Sequence, residues 1–120
     1  MSESDAEQAA RRALATTAPA LPEVVGRLTA FSDPTRLELL IAIHAAPDMA
    51  VKTLAAATGL APNTVSQALG SLRDAGLVQC RREGRCSLWR LSDSAAHDLL
   101  HHLGAPHSEH HPPHPATWER

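Results

Sequence analysis

The sequence predicts a mainly α-helical fold with one small β-hairpin, and two adjacent segments carry that expectation. Residues 62–75 place Val65, Leu69 and Leu72 at helical spacing, with Pro62 opening the helix and Gly76 stopping it. Immediately afterwards, 77–82 and 85–91 read as two strands joined by a tight turn at Glu83-Gly84. The outer face of the helix carries Asn63, Thr64, Ser66, Gln67 and Ser71, with Arg73 near its end. A helix that only covers a core wears long charged residues outside, because they keep it soluble. Short amides and hydroxyls suit base edges and phosphates in a major groove. Such a helix followed by a basic hairpin predicts a winged helix-turn-helix.

The other elements follow from local signals. Residues 1–18 are rich in Ala, Glu and Arg, and 5–16 read as a helix with a weak apolar face, broken by Pro19 and Pro22. A second helix runs from Pro22 to Phe31 with Val24, Val25 and Leu28 inward. Asp33 caps a third, Pro34 takes its first position, and Leu37, Leu40, Ile41 and His44 follow. Its His44, one turn beyond Leu40, reads as a packed structural histidine. Pro47-Asp48 closes that helix, and 51–57 forms a short one ending at Gly59. Ser92 or Asp93 caps a last helix that reaches Leu103 and stops at Gly104 and Pro106. Three regions result: an extension over 1–18, an ordered unit over 19–103, and a His- and Pro-rich tail over 104–120 expected to be disordered.

Four segments in order resemble the ArsR/SmtB family of bacterial winged-helix transcriptional regulators. They are Phe31-Ser32-Asp33-Pro34-Thr35-Arg36-Leu37, Leu54-Ala55-Ala56-Ala57-Thr58-Gly59-Leu60, Val65-Ser66-Gln67-Ala68-Leu69, and Leu72-Arg73-Asp74-Ala75-Gly76-Leu77-Val78. The likeness covers residues 20–103 and implies a homodimer that regulates transcription. One departure falls in the recognition helix, where many relatives have His at the position of Ala68 and so one more DNA contact.

Charge and composition agree with this reading. The net charge of −2 would argue against a nucleic-acid partner, but its distribution decides otherwise. Residues 73–90 hold Arg73, Arg81, Arg82, Arg85 and Arg90 against only Asp74 and Glu83, and local charge governs phosphate contact. Phe31, Trp89 and Trp118 are the only aromatics, so the core is built from Ala, Leu, Val and Ile, and such small cores commonly gain stability by pairing. Cys80 and Cys86 flank the hairpin turn on opposite faces, which disfavours a disulfide and points to a reducing cytoplasm. No apolar run suggests a signal peptide or membrane helix. Neither a nucleophile–base pair nor a glycine-rich phosphate loop suggests an enzyme.

The expected partner is double-stranded DNA with a two-fold-related operator. Asn63, Thr64, Ser66 and Gln67 would meet bases and phosphates, Gln67 being suited to bidentate pairing with adenine. Ser71 and Arg73 would favour the backbone, and Arg82 and Arg85 a phosphate or minor groove at the wing tip. Trp89 is expected to pack beneath the wing.

Of the eight histidines, all but His44 follow residue 96. Asp93, His97 and His101, spaced four apart, form one ridge beside the apolar stripe of Ala96, Leu99, Leu100 and Leu103, whereas Asp98 and His102 point to solvent. If the stripe is the dimer seam, the ridge lies at its edge, where two subunits would close on an ion. The family resemblance adds a second pair. Asp93 matches the start of a metal site between the final helices, and His107-Ser108-Glu109-His110 resembles its later half, above all in nickel- and cobalt-sensing relatives. Ala95 replaces a ligand of that pattern, and the cysteine motif of thiolate sensors is absent from Ala50-Val51-Lys52-Thr53-Leu54. The ligand set Asp93, His97, His101, His107 and His110 suits Ni, Co or Zn. Three alternatives stay open: no cofactor, a separate metal-sensing partner protein, and a metal-storage or chaperone-like role for the tail.

Overall fold

The computed structural model describes residues 2–92 and 94–106. Six helices and one hairpin follow in order: α1 (Glu3–Thr17), α2 (Leu21–Ser32), α3 (Pro34–Ala45), α4 (Val51–Thr58), α5 (Pro62–Asp74), β1 (Val78–Glu83), β2 (Cys86–Leu91) and α6 (Ser94–His102). The predicted mainly helical fold with a small hairpin is the one observed. The expected breaks at Pro19 and Pro22 are bridged. Pro19 sits in a 3-10 turn, Ala18–Ala20, and Pro22 in the first turn of α2. Proline there removes only an N–H that lacks a helical partner anyway, so the chain stays helical. Helix α1 buries no residue and stands clear of the core.

Helix α3 is the hub, packed against α2, α4, α5, β2 and α6. Its start follows from its sequence: the Asp33 carboxylate accepts the Arg36 N–H at 2.9 Å, and Pro34 supplies the first turn. Because several elements surround it, its buried residues form a broad arc of Leu39, Leu40, Ile43 and His44. Ile41, expected inward, is instead exposed. Leu54 of α4, Val65, Leu69 and Leu72 of α5, and Leu77, Val78, Trp89 and Leu91 around the hairpin complete the same core. Gly59, at φ 75°, turns the chain between α4 and α5, its N–H closing on the Ala55 carbonyl at 2.9 Å.

The strands are antiparallel, with Glu83 opposite Cys86 and Cys80 opposite Trp89. The turn is therefore Gly84-Arg85 and not Glu83-Gly84. Gly84 takes a positive φ of 63°, as the first position of this two-residue turn demands. Both cysteines are free and, as expected, on opposite faces. The 46–50 loop is tied to the wing by main-chain bonds: the Asp48 N–H donates to the Trp89 carbonyl at 2.8 Å, and the Trp89 N–H to the Met49 carbonyl at 2.9 Å. Asp48 also takes a positive φ of 67° and accepts both Nε and Nη2 of Arg90, at 2.9 and 2.7 Å.

Candidate nucleic-acid interface and metal centre

Helix α5 separates its two faces cleanly. Val65, Ala68, Leu69 and Leu72 are buried, and Asn63, Thr64, Ser66, Gln67, Ser71 and Arg73 are exposed together on the other side. The sequence-predicted recognition residues thus share one accessible surface. Ala68 is a core residue here, so the Ala-for-His departure replaces a side chain on the inward edge of the helix. Asp33, Thr35 and Arg36, at the start of α3, line one shallow hollow with Thr64, Gln67 and Ser71. No sequence signal places Thr35 and Arg36 beside these residues, because only the packing of α3 on α5 brings them there.

At the wing, Arg82 and Arg85 are exposed at the tip, as expected. Two other arginines of the basic stretch are engaged elsewhere. Arg90 is held by Asp48 in a half-buried pair, and Arg81 pairs with Glu83 at 3.1 Å. The positive charge facing outward is therefore narrower than the sequence count implied. Trp89 is buried beneath the wing, and the Arg73 guanidinium lies 5.9 Å from its ring centroid, within cation–π range. That contact orients Arg73 towards the junction of α5 and the hairpin.

Helix α6 refines the reading of the histidines. His97 is 2% exposed and faces the protomer's own interior, whereas His101, one turn on, is exposed. The His97 ring lies 5.0 Å from that of His44, which is wholly buried, and 4.5 Å from that of His101. His101 in turn meets His44 edge-on at 4.8 Å. Each of the three imidazoles offers one nitrogen within 4.8 Å of the other two. This donor set fits a divalent metal ion, and His44 belongs to it. His44 is packed as the sequence predicts, and the crossing of α3 and α6 at that turn sets it beside His97 and His101, a juxtaposition no local pattern links. The Asp98 carboxylate lies 3.8 Å from His97 Nδ1, beyond hydrogen-bond range, with Asp98 itself in solvent. Asp93, His107 and His110 lie outside the described residues.

The apolar stripe of α6 also divides. Ala96 and Leu100 are buried in the protomer's own core, whereas Leu103 is 58% exposed. Leu99 and Ala96 line a groove with Val24, Arg27, Leu28 and Phe31 of α2. Val25 and Leu28 are each 56% exposed beside it, so the open apolar surface belongs to α2 and the outer edge of α6.

Comparison with known proteins agrees with this geometry. Residues 31–81 match a helix-turn-helix domain family. The transcriptional regulator NmtR of Mycobacterium tuberculosis is 36% identical over 91 residues, 76% of this chain and 74% of that protein. The chain belongs to the ArsR/SmtB-like superfamily of winged-helix transcriptional regulators. The regulator YgaV of Escherichia coli is 31% identical over 73 residues, covering 61% of this chain and 74% of its own length. A homodimeric winged helix-turn-helix DNA-binding domain from Mycobacterium bovis superposes with a TM-score of 0.66 at 30% identity, over 73% of this chain and 81% of that one. The superfamily acts by sequence-specific DNA binding and not by catalysis, and this winged-helix regulator does the same. No helix among the described residues is long and apolar enough to cross a membrane.

Proposed function

We propose that the protein works as a homodimer that reads a two-fold-related operator with paired α5 helices and responds to a divalent metal. The observation that carries the DNA reading is the single exposed surface of short polar side chains on α5, flanked by the arginine-tipped wing. In this reading Gln67 and Ser66 contact bases, Asn63, Thr64 and Ser71 contact bases or phosphate, and Arg73, Arg82 and Arg85 contact the backbone. Arg36 and Thr35 join the phosphate contacts from α3. The dimer reading is supported by the exposed Val25, Leu28 and Leu103 and by the homodimeric relative. Fully burying such a side chain contributes about 1.5–3 kcal/mol. Residues 19–103 form the working unit, with 1–18 as an extension and 104–120 as a tail.

The metal is nickel, cobalt or zinc, as imidazole donors without thiolate favour. The buried imidazoles support a sensor over a storage tail, because storage has no need of ligands placed between two core helices. They also favour direct sensing over a separate sensing partner. Footprinting on the protein's own promoter region tests the DNA reading. Protection of a two-fold-related site, with half-sites about one helical turn apart or a multiple of it, is expected. Equal affinity for random duplex at moderate salt would overturn it.

A further inference from the structure

We infer that each protomer holds one divalent transition-metal ion within itself, on His44 of α3 and His97 and His101 of α6. The ion fastens the outer helix of the dimer face to the hub that supports the recognition helix. This rests on the metal-responsive reading above and supplies its site, in place of a site shared between two subunits.

Three observations carry it. His97 and His101 stand at i and i+4 on one helical face, a spacing that lets two imidazoles bind one ion. His44 brings a third donor from the facing helix, with all three nitrogens already within 4.8 Å of one another. Zinc–nitrogen bonds of about 2.0–2.1 Å put two ligands of a tetrahedral ion about 3.3 Å apart. The donors therefore need to close by about 1.5 Å at most, within the swing of an imidazole about its χ angles.

The second observation is position. His44 and His97 are core residues beside Leu40, Ile43, Ala96 and Leu100, where an aliphatic side chain would pack without the cost of desolvating an imidazole. A dry site also favours the neutral ring that ligation requires. The third is the donor chemistry. Nitrogen donors suit zinc, nickel or cobalt, whereas calcium and magnesium take oxygen. Both cysteines are on the hairpin and the three imidazoles on the helices, so thiolate takes no part. His101 is exposed, so the fourth ligand of a tetrahedral ion would come from solvent on that side.

The regulatory consequence follows from connectivity. Helix α3 packs against both α5 and α6, and Leu99 of α6 and Leu103 just beyond it border the open apolar face. An ion bound across α3 and α6 biases how the dimer face sits relative to the recognition helices, and hence operator affinity.

Cobalt(II) is the probe, added to the metal-free full-length protein. One equivalent per protomer should produce the visible bands of a four-coordinate nitrogen site, and zinc should displace it and raise the thermal midpoint. His101→Gln, at the exposed corner, should keep its circular dichroism yet lose more than about 10–100-fold in cobalt affinity, the loss typical of weaker outer-shell changes. His44→Gln should match it, whereas paired His107→Gln and His110→Gln substitutions should leave affinity unchanged. The reverse pattern overturns the inference.

Mixed dimers of His44→Gln and His97→Gln protomers locate the ion. A site internal to each protomer stays broken, and a return of cobalt binding would prove it shared and the inference wrong. Saturating zinc should change operator affinity by about 5-fold or more in the natural protein and leave His44→Gln unmoved. An unchanged natural protein overturns the regulatory step. Operator binding by the metal-free protein is measured separately, so failure of cobalt uptake and failure of DNA recognition are distinct results.

Discussion

Helices α5 and α6 are both amphipathic, yet they place their side chains by opposite rules. On α5 every buried residue is apolar and every exposed recognition residue is polar. On α6 an imidazole, His97, is buried at 2% exposure, whereas Leu103, in the turn that follows the helix, stands 58% exposed. The first helix has one requirement beyond stability, an accessible polar face, and ordinary amphipathic packing meets it. Under the proposed function the second has two: imidazoles turned into the protomer to hold an ion, and apolar side chains left outward for another copy. Inverted polarity on one helix is therefore a functional signal, while conforming polarity on the other is compatible with any surface helix until its short side chains are considered.

Leucine substitutions test this division with the largest effect. Leu100→Glu would bury a carboxylate among Leu40, Ile43 and Ala96, and loss of several kcal/mol should unfold the protomer. Leu103→Glu should keep the fold and weaken only the dimer. Thermal melts and sedimentation separate the two results. Equal, mild effects would mean that α6 has no inward face.

On α5 the expected effects are smaller and confined to DNA. Gln67→Ala or Ser66→Ala should weaken the operator complex by about 1–3 kcal/mol per lost base contact while leaving random duplex binding unaltered. Anisotropy titrations on both duplexes check this, and a uniform loss would reassign these residues to phosphate.

The wing arginines sharpen the comparison further, since the pair with Asp48 separates Arg90 from Arg85. Arg90→Ala should lower stability by about 1–2 kcal/mol, the lower part of the range for charged hydrogen bonds, because Asp48 stays partly in water. Arg85→Ala should leave the melt unchanged and reduce the salt slope of DNA binding by about 0.9. Smallest of all, Asp33→Ala should cost about 1 kcal/mol by exposing the first turn of α3, measured by urea titration.

How much of this was legible in the sequence depends on whether the deciding interaction is local. Asp33 before Pro34, Gly59 after α4 and Pro62 at the start of α5 act through one turn of backbone, so the helix starts and stops follow from neighbouring residues. The exposed polar face of α5 follows from periodicity in the same way. The hairpin turn lies one residue later than the sequence predicts, because both Glu83-Gly84 and Gly84-Arg85 contain the glycine and only cross-strand pairing selects one.

The sequence by itself determined the order of elements, the exposed polar face of α5 and the superfamily resemblance, since these depend on spacings within a helix or between successive helices. Tertiary structure alone decided that Arg90 answers Asp48, 42 residues away, and so withdraws from the basic patch. It also decided which side of α6 faces inward. A helical wheel fixes angles about its own axis but not the direction of the neighbouring helix. Only the crossing of α3 over α6 adds His44 to His97 and His101, which share one helical ridge, so that the three imidazoles gather around one point.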